Sequence, residues 1–117
     1  MQARRSPSSS FQVLQVAIQA VAVMRPVVAR IRQRDRDLGE QIRRAASSVA
    51  LNVAEGNRSE GSIRLSRFST AASSNAEVRA ALQVAVAWGY VEARQIEDVE
   101  QLLDRVAAML HRLGARR

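Results

Sequence analysis

Arginine is the residue type in this sequence that is best suited to binding chemistry. All 18 basic residues other than histidine are arginine, and lysine is absent. A guanidinium group donates paired hydrogen bonds to phosphate or carboxylate oxygens in a fixed fork geometry. The candidate phosphate-binding residues are Arg30, Arg32, Arg34, Arg36, Arg43, Arg44, Arg58, Arg64 and Arg67.

These arginines predict contacts to the phosphates of a nucleic-acid backbone. Such contacts do not distinguish one base sequence from another. Residues 43–67 supply five of them, which would converge if the two helices that carry them are antiparallel neighbours. The other four form a cluster at the first helix connection. For each single arginine the alternative is a solvated side chain or an ion pair within its own helix. With only 3% aromatic residues, we do not expect a platform on which single-stranded bases stack.

Acidic residues and histidine offer little catalytic chemistry. Glu55 and Glu77 are the only acidic residues placed on small-polar or core-flanking stripes, and two such carboxylates could work as an acid–base pair. We favour a structural interpretation, because an unpaired buried charge is too costly to persist. The sequence predicts a polar network where helices 2 and 3 meet, made of Ser48, Asn52, Glu55, Ser74 and Glu77. We interpret the single histidine, His111, as a cation at a helix C-terminus or as a surface residue. No catalytic residue, metal site or cofactor is predicted.

Size and charge favour one small basic domain. The chain has 117 residues and a formal net charge of +7. Residues 1–50 carry nine arginines against three acidic residues, whereas residues 51–117 carry nine against eight. The excess charge favours nucleic acid or another acidic partner, and the alternative is that it only maintains solubility. The absence of cysteine fits a reducing compartment, and we expect a cytoplasmic protein.

Apolar spacing predicts an all-α fold, an up-down-up-down antiparallel four-helix bundle over residues 10–114. Residues 1–9 are predicted to be a disordered basic arm, and residues 115–117 a basic tail. Helix 1 is expected at about 10–33, followed by a connection at about 34–38. Helix 2 is expected to open with a capping box of Asp37 and Glu40, to run through residues 41–55 and to end at Gly56 as a left-handed cap. Helix 3 is expected to be capped by Ser59 or Ser62 and to run to about Trp88, and helix 4 is expected at about 92–113.

Each predicted helix has an expected core stripe. Helix 1 is expected to bury Phe11, Leu14, Ile18, Val21 and Val28, with Val13, Ala17, Met24 and Ile31 beside them. Helix 2 is expected to bury Ile42, Ala45, Ala46, Val49 and Val53. Helix 3 is expected to bury Leu65, Phe68, Ala72, Val78, Leu82, Ala85 and Val86. Helix 4 is expected to bury Ile96, Val99, Leu103, Val106, Leu110 and Leu113.

A basic start followed by an apolar run could be read as a secretory signal. Gln12, Gln15 and Gln19 recur at helical spacing and form one polar face, which a signal core does not need. We therefore interpret this run as helix 1 of the bundle and expect no membrane partner.

Two blocks of sequence resemble a known family. The first is Gln41-Ile-Arg-Arg-Ala with Ser48, Asn52, Ala54-Glu55-Gly56 and Arg58, and the second is Ala71, Ser74, Glu77, Leu82, Ala85 and Gly89-Tyr90. Both are similar to the four-helix-bundle proteins encoded in bacterial 23S rRNA intervening sequences. The sequence departs from the family's pattern at Ser73, where glycine is usual, and at Trp88, where leucine is usual.

The resemblance implies a ring-like homopentamer. The related accessory variability determinant of diversity-generating retroelements is also a basic pentameric bundle, and it binds a reverse transcriptase and nucleic acid. Helices 1 and 3 of this chain have apolar or small residues on more than one face, which also favours self-association.

Three functions are left open. The first is a non-enzymatic homo-oligomer that binds structured RNA or another nucleic acid through its arginines, with RNA favoured over DNA. The second is an oligomeric scaffold or accessory subunit for a partner enzyme such as a reverse transcriptase. The third is an enzyme that uses Glu55 and Glu77, which we do not favour.

Overall fold

The predicted four-helix bundle is confirmed by the structure, a computed structural model that describes residues 9–115. Its helices are α1, Ser9–Arg34; α2, Arg36–Asn57; α3, Gly61–Ala87; and α4, Glu97–Arg112, which a 3₁₀ turn at Ala93–Ile96 precedes. Helices α1 and α3 each pack against α2 and α4, so α1 and α3 lie at opposite corners. Residues 9–115 contain no strand.

The predicted basic arm and tail lie mostly outside the described residues. Residues 1–8 and 116–117 are not described, Ser9 begins α1, and Ala115 is buried.

A single residue, Asp35, connects α1 to α2. Its backbone is extended, with φ −152° and ψ 96°, and its Oδ1 accepts a hydrogen bond from the Leu38 backbone N–H at 3.0 Å. This satisfies one of the unpaired amides at the start of α2. The predicted capping box of Asp37 and Glu40 is therefore wrong, because the cap lies two residues earlier.

The core stripe of α2 is confirmed, and so is that of α4 apart from Leu113, which is only partly buried. The stripes of α1 and α3 are partly wrong. All five predicted residues of α2 are buried, and so are Ile96, Val99, Leu103, Val106 and Leu110. Phe11, Ile18 and Leu65, however, are 48%, 54% and 46% exposed. Their places in the core are taken by Val16, Ala20, Ala71 and Ala81. Helices α1 and α3 carry apolar residues on several faces, so periodicity alone could not select the buried one.

Gly56 permits close packing between α2 and α3 and is not the predicted left-handed cap. It lies inside α2, which continues to Asn57 and ends at Arg58 in a right-handed conformation. A Cβ atom on Gly56 would lie only 2.7 Å from Cδ1 of Phe68, whose side chain is fully buried. Gly89, by contrast, has φ +83° and ends α3 as predicted.

Helix α1 is the one helix among residues 9–115 whose length and composition would suffice to cross a membrane. Core helices of soluble proteins and signal sequences share this property. In the bundle, Val13, Met24 and Ile31 of α1 lie at 0–2% exposure.

We expect Gly56→Ala to lower the free energy of unfolding by about 1–3 kcal/mol, because overpacking displaces the Phe68 ring. Urea unfolding measures this change. Combining Gly56→Ala with Phe68→Leu should cost less than the sum of the single changes, because the smaller side chain makes room for the methyl group. Stabilisation by Gly56→Ala, as helix propensity alone predicts, would contradict the packing described here.

Candidate nucleic-acid interface

Six of the nine predicted arginines lie at one end of the bundle, which we name the α1–α2 corner and define as residues 30–44. Arg30, Arg32 and Arg34 end α1, and Arg36, Arg43 and Arg44 lie in the first turns of α2. All six are exposed. They share this end because Asp35 alone separates the two helices.

Two of these six arginines are paired with one carboxylate. Glu40 Oε1 lies 3.0 Å from Arg32 Nε, and its Oε2 lies 3.1 Å from the terminal Nη2 of Arg43. The hydrogen bond from Arg43, with the positive charges of Arg32, Arg43 and Arg44, holds the pKa of the Glu40 carboxyl below its ordinary value. Glu40 therefore stays ionised near neutral pH and orients both guanidiniums.

The other four arginines of the corner have no carboxylate partner within the described part of the chain. Arg30, Arg36 and Arg44 are exposed, and the guanidinium carbon of Arg34 lies 5.7 Å from the centroid of the Tyr90 ring. A cation over an aromatic ring keeps its charge and can still donate hydrogen bonds. These four side chains can reach phosphate oxygens without first breaking an ion pair.

The second group, Arg58, Arg64 and Arg67, lies at the opposite end of α2, so the predicted convergence with Arg43 and Arg44 is wrong. Arg44 and Arg58 are 14 residues apart, which corresponds to about 21 Å along a helix axis. Antiparallel packing of α2 and α3 brings Arg64 and Arg67 beside the end of α2 and away from its start.

Arg64 has a structural position rather than one suited to a ligand. Its Nη1 donates a hydrogen bond to the Gly56 carbonyl at 3.0 Å, and its guanidinium carbon lies 4.7 Å from the Phe68 ring centroid. The carbonyls at a helix C-terminus carry partial negative charge that a cation stabilises. Arg58 and Arg67 remain exposed.

Part of the predicted polar network comes together between α2 and α3. The hydroxyls of Ser48 and Ser74 are 2.8 Å apart, and Asn52 Nδ2 donates to the Ser48 carbonyl at 2.9 Å and to its hydroxyl at 3.1 Å. Glu55 is exposed and does not join this network. Glu77 is also outside it, and its carboxylate lies 3.5 Å from Gln41 Nε2.

The same geometry separates the two carboxylates that could have formed an acid–base pair. Glu77 lies beside Gln41, and Gln41 is 14 residues before Glu55 on α2, or about 21 Å along the axis. A single reacting group cannot contact both carboxylates at once.

A groove of about 210 Å³ between α1 and α2 adds an arginine that the sequence analysis missed. Arg25, Arg32 and Arg43 line it together with Ser47, over an apolar floor that includes Met24 and Ala46. Arg25 is seven residues before Arg32, and this two-turn spacing was the sequence signal that could have identified it.

The remaining titratable residues form no metal centre in residues 9–115, where no three acidic, histidine or cysteine side chains come together. His111 lines a groove of about 590 Å³ between α3 and α4, beside Ala72 and Asp104.

The sequence matches the family described as 23S rRNA-intervening sequence protein over residues 9–112. The chain belongs to this family. A crystal structure from Bacteroides thetaiotaomicron, of a protein with unknown function from the S23 ribosomal protein family, is similar with a TM-score of 0.82. The match covers 91% of this chain and 97% of that chain at 13% identity, and at that identity it shows the fold alone. No curated protein matches the sequence.

We expect Arg64→Ala to lower the free energy of unfolding by about 1–3 kcal/mol, because it removes a charged hydrogen bond at the end of α2. Arg67→Ala is the matched control, one turn along α3 and exposed, and should change stability by less than about 0.5 kcal/mol. Chemical denaturation of both variants measures the difference. Equal effects would show that Arg64 has no special role at the end of α2.

Proposed function

We propose that this protein binds RNA through the α1–α2 corner. The observation that carries the proposal is the concentration of exposed arginines there: residues 30–44 contain six arginines and three acidic residues. Four of the six have no carboxylate partner in the part of the chain that the structure describes. Guanidinium forks at this density suit a chain of phosphates, and the resulting affinity is dominated by charge.

The proposed role is non-enzymatic and cytoplasmic. The two carboxylates with the best sequence case for acid–base chemistry are about 21 Å apart along the bundle. Arginines suit binding better than acid–base catalysis, because guanidinium groups stay protonated near neutral pH and so cannot act as general bases.

We also propose that the protein is a homo-oligomer, a ring of five copies, as the resemblance to the family implies. Exposed apolar residues lie on the outer faces of α1 and α3, including Ile18 at 54%, Ile63 at 61% and Val84 at 44% exposure. Because α1 and α3 occupy opposite corners, these faces point away from each other. Contact between α1 of one copy and α3 of the next would be heterologous, and such contacts close into rings or extend into filaments.

The same exposed faces favour a second candidate function, an oligomeric scaffold for a partner protein such as a reverse transcriptase. A partner protein bound at Ile18 or Val84 would cover these apolar faces as effectively as a second copy of the chain would. The scaffold predicts a co-purifying protein and little affinity for RNA.

We expect RNA affinity to fall at least about tenfold between roughly 50 and 200 mM salt, because about four phosphate contacts release their counterions. The double variant Arg43→Glu with Arg44→Glu should abolish binding measured by anisotropy of labelled RNA. Charge-matched changes on the diagonally opposite helix, Arg105→Glu with Arg112→Glu, should retain most of it. Unchanged binding in the Arg43→Glu, Arg44→Glu variant would exclude these two residues from the interface. Equal losses of affinity in the two double variants would show that binding depends on net charge and not on the α1–α2 corner.

Native mass spectrometry tests the ring, which should have the mass of five 12.9 kDa chains. Ile18→Glu and Val84→Glu should each dissociate it, since a charge at an apolar contact is costly to bury. Leu51→Glu on α2, where Leu51 is 66% exposed, is the control and should retain the mass. A wild-type monomer at micromolar concentration would refute the ring.

A further inference from the structure

The turn after α3 carries half of the aromatic residues of this chain. Trp88 and Tyr90 lie there, whereas Phe11 and Phe68 are far along the sequence. The ring centroids of Trp88 and Tyr90 are 6.4 Å apart and their planes are inclined by only 17°. Trp88 is the most exposed large apolar residue in the described part of the chain, at 68%. A single exposed indole is not by itself informative, so its surroundings decide what it can do.

The backbone at Trp88 and at Tyr90 is fixed by hydrogen bonds to α3. The Trp88 amide donates to the Val84 carbonyl and the Tyr90 amide to the Ala85 carbonyl, each at 2.9 Å. The Tyr90 hydroxyl donates to Asp35 Oδ2 at 3.2 Å. Desolvation and the neighbouring Asp35 carboxylate raise the pKa of Tyr90, so the hydroxyl keeps the proton that it donates. Tyr90 is therefore anchored to the residue that joins α1 to α2, and Trp88 stacks beside the Tyr90 ring.

This anchoring places the rings beside the α1–α2 corner. The Arg34 guanidinium carbon lies 5.7 Å from the Tyr90 ring centroid. Arg30, Gln33, Arg34 and Tyr90 together line a concavity of about 290 Å³. Both Asp35 carboxylate oxygens already accept hydrogen bonds, one from Leu38 and one from Tyr90. Arg30 and Arg34, which face this concavity, have no carboxylate partner within residues 9–115, so their guanidiniums can bind an external anion.

We infer that Trp88 and Tyr90, with Arg30 and Arg34, form a site for unpaired nucleotides of RNA. One base stacks on the exposed Trp88 indole, and the phosphates that flank it accept hydrogen bonds from the two guanidiniums. An aromatic face beside arginines is the combination that recognises single-stranded nucleic acid, because every base has a π face and every linkage has a charge. In a duplex the neighbouring base pairs cover those faces.

This inference rests on the proposed RNA binding and specifies the kind of RNA that the protein should bind. The corner's arginines alone would accept duplex and single-stranded RNA by charge. The aromatic pair adds a contact that only an unpaired base can make, so the protein should prefer loops, bulges and single strands. The low aromatic content of the sequence predicted no stacking platform. The antiparallel fold brings two of them to the arginines.

Trp88 is the only tryptophan, so its fluorescence reports directly on the site. We expect a single-stranded RNA of about twelve nucleotides to quench the emission, and a blunt duplex of the same sequence to leave it nearly unchanged. Trp88→Leu should weaken single-strand binding about tenfold and leave duplex binding unchanged, whereas Trp88→Phe should retain most of the affinity. Leu51→Ala, also at an exposed apolar residue, is the control and should alter neither.

Affinities are measured separately by anisotropy of labelled RNA, which distinguishes the failure of this inference from that of the proposed function. If RNA binds but Trp88→Leu weakens single strand and duplex equally or not at all, the stacking site is refuted while RNA binding stands. If wild type binds no RNA, both are refuted. If Trp88 emission shifts only when the oligomer dissociates and RNA causes no quenching, Trp88 belongs to a contact between copies and the inference is overturned.

Discussion

The connection between α1 and α2 is the constraint on which the candidate interface depends. Only Asp35 separates the two helices, so α2 must reverse direction immediately beside the end of α1. One Asp35 oxygen caps α2 and the other holds the Tyr90 hydroxyl. A single carboxylate thereby joins three chain segments, α1, α2 and the turn after α3. The arginines of residues 30–44 lie together because the chain has no longer loop over which to disperse them.

Small residues let α2 and α3 approach closely, and this packing determines which polar groups are available. Gly56 accommodates the Phe68 ring, and the Ser48 and Ser74 hydroxyls meet across the interface. Deeper in the bundle, Asn75 is 1% exposed, and its Nδ2 donates to the Leu103 carbonyl at 2.9 Å. Hydrogen bonds from Ser48, Ser74 and the Asn75 amide nitrogen thus join neighbouring helices, whereas the buried Oδ1 of Asn75 has no hydrogen-bond partner within residues 9–115.

The arginines divide into those that bond to backbone or carboxylate groups of the bundle and those that have no such partner within residues 9–115. Arg64 stabilises the end of α2 and covers the Phe68 ring, and Arg32 and Arg43 share the Glu40 carboxylate. Glu40 orients two guanidiniums while removing one unit of positive charge from the corner. The corner owes its excess charge to the four arginines that have no carboxylate partner among the described residues, namely Arg30, Arg36, Arg44 and the Arg34 that lies over the Tyr90 ring. Net charge alone does not reveal this division, because it depends on which carboxylates lie within reach.

Local sequence was sufficient for the fold class, the helix number and the core faces of α2 and α4. Their apolar residues recur at strict helical spacing opposite a polar face, so only one orientation buries them. In α1 and α3 apolar and small residues occupy more than one face, and Ile18 and Leu65 could not be distinguished from core residues without the neighbouring helices. The number and type of the cations were likewise readable in the sequence. The grouping of these cations in space could not be predicted. Arg44 and Arg58 belong to the same helix region yet lie at opposite ends of it, and Arg34 and Tyr90 are far apart in sequence yet in contact. Such distances depend on how antiparallel helices bring remote segments together, and only the tertiary structure decides them.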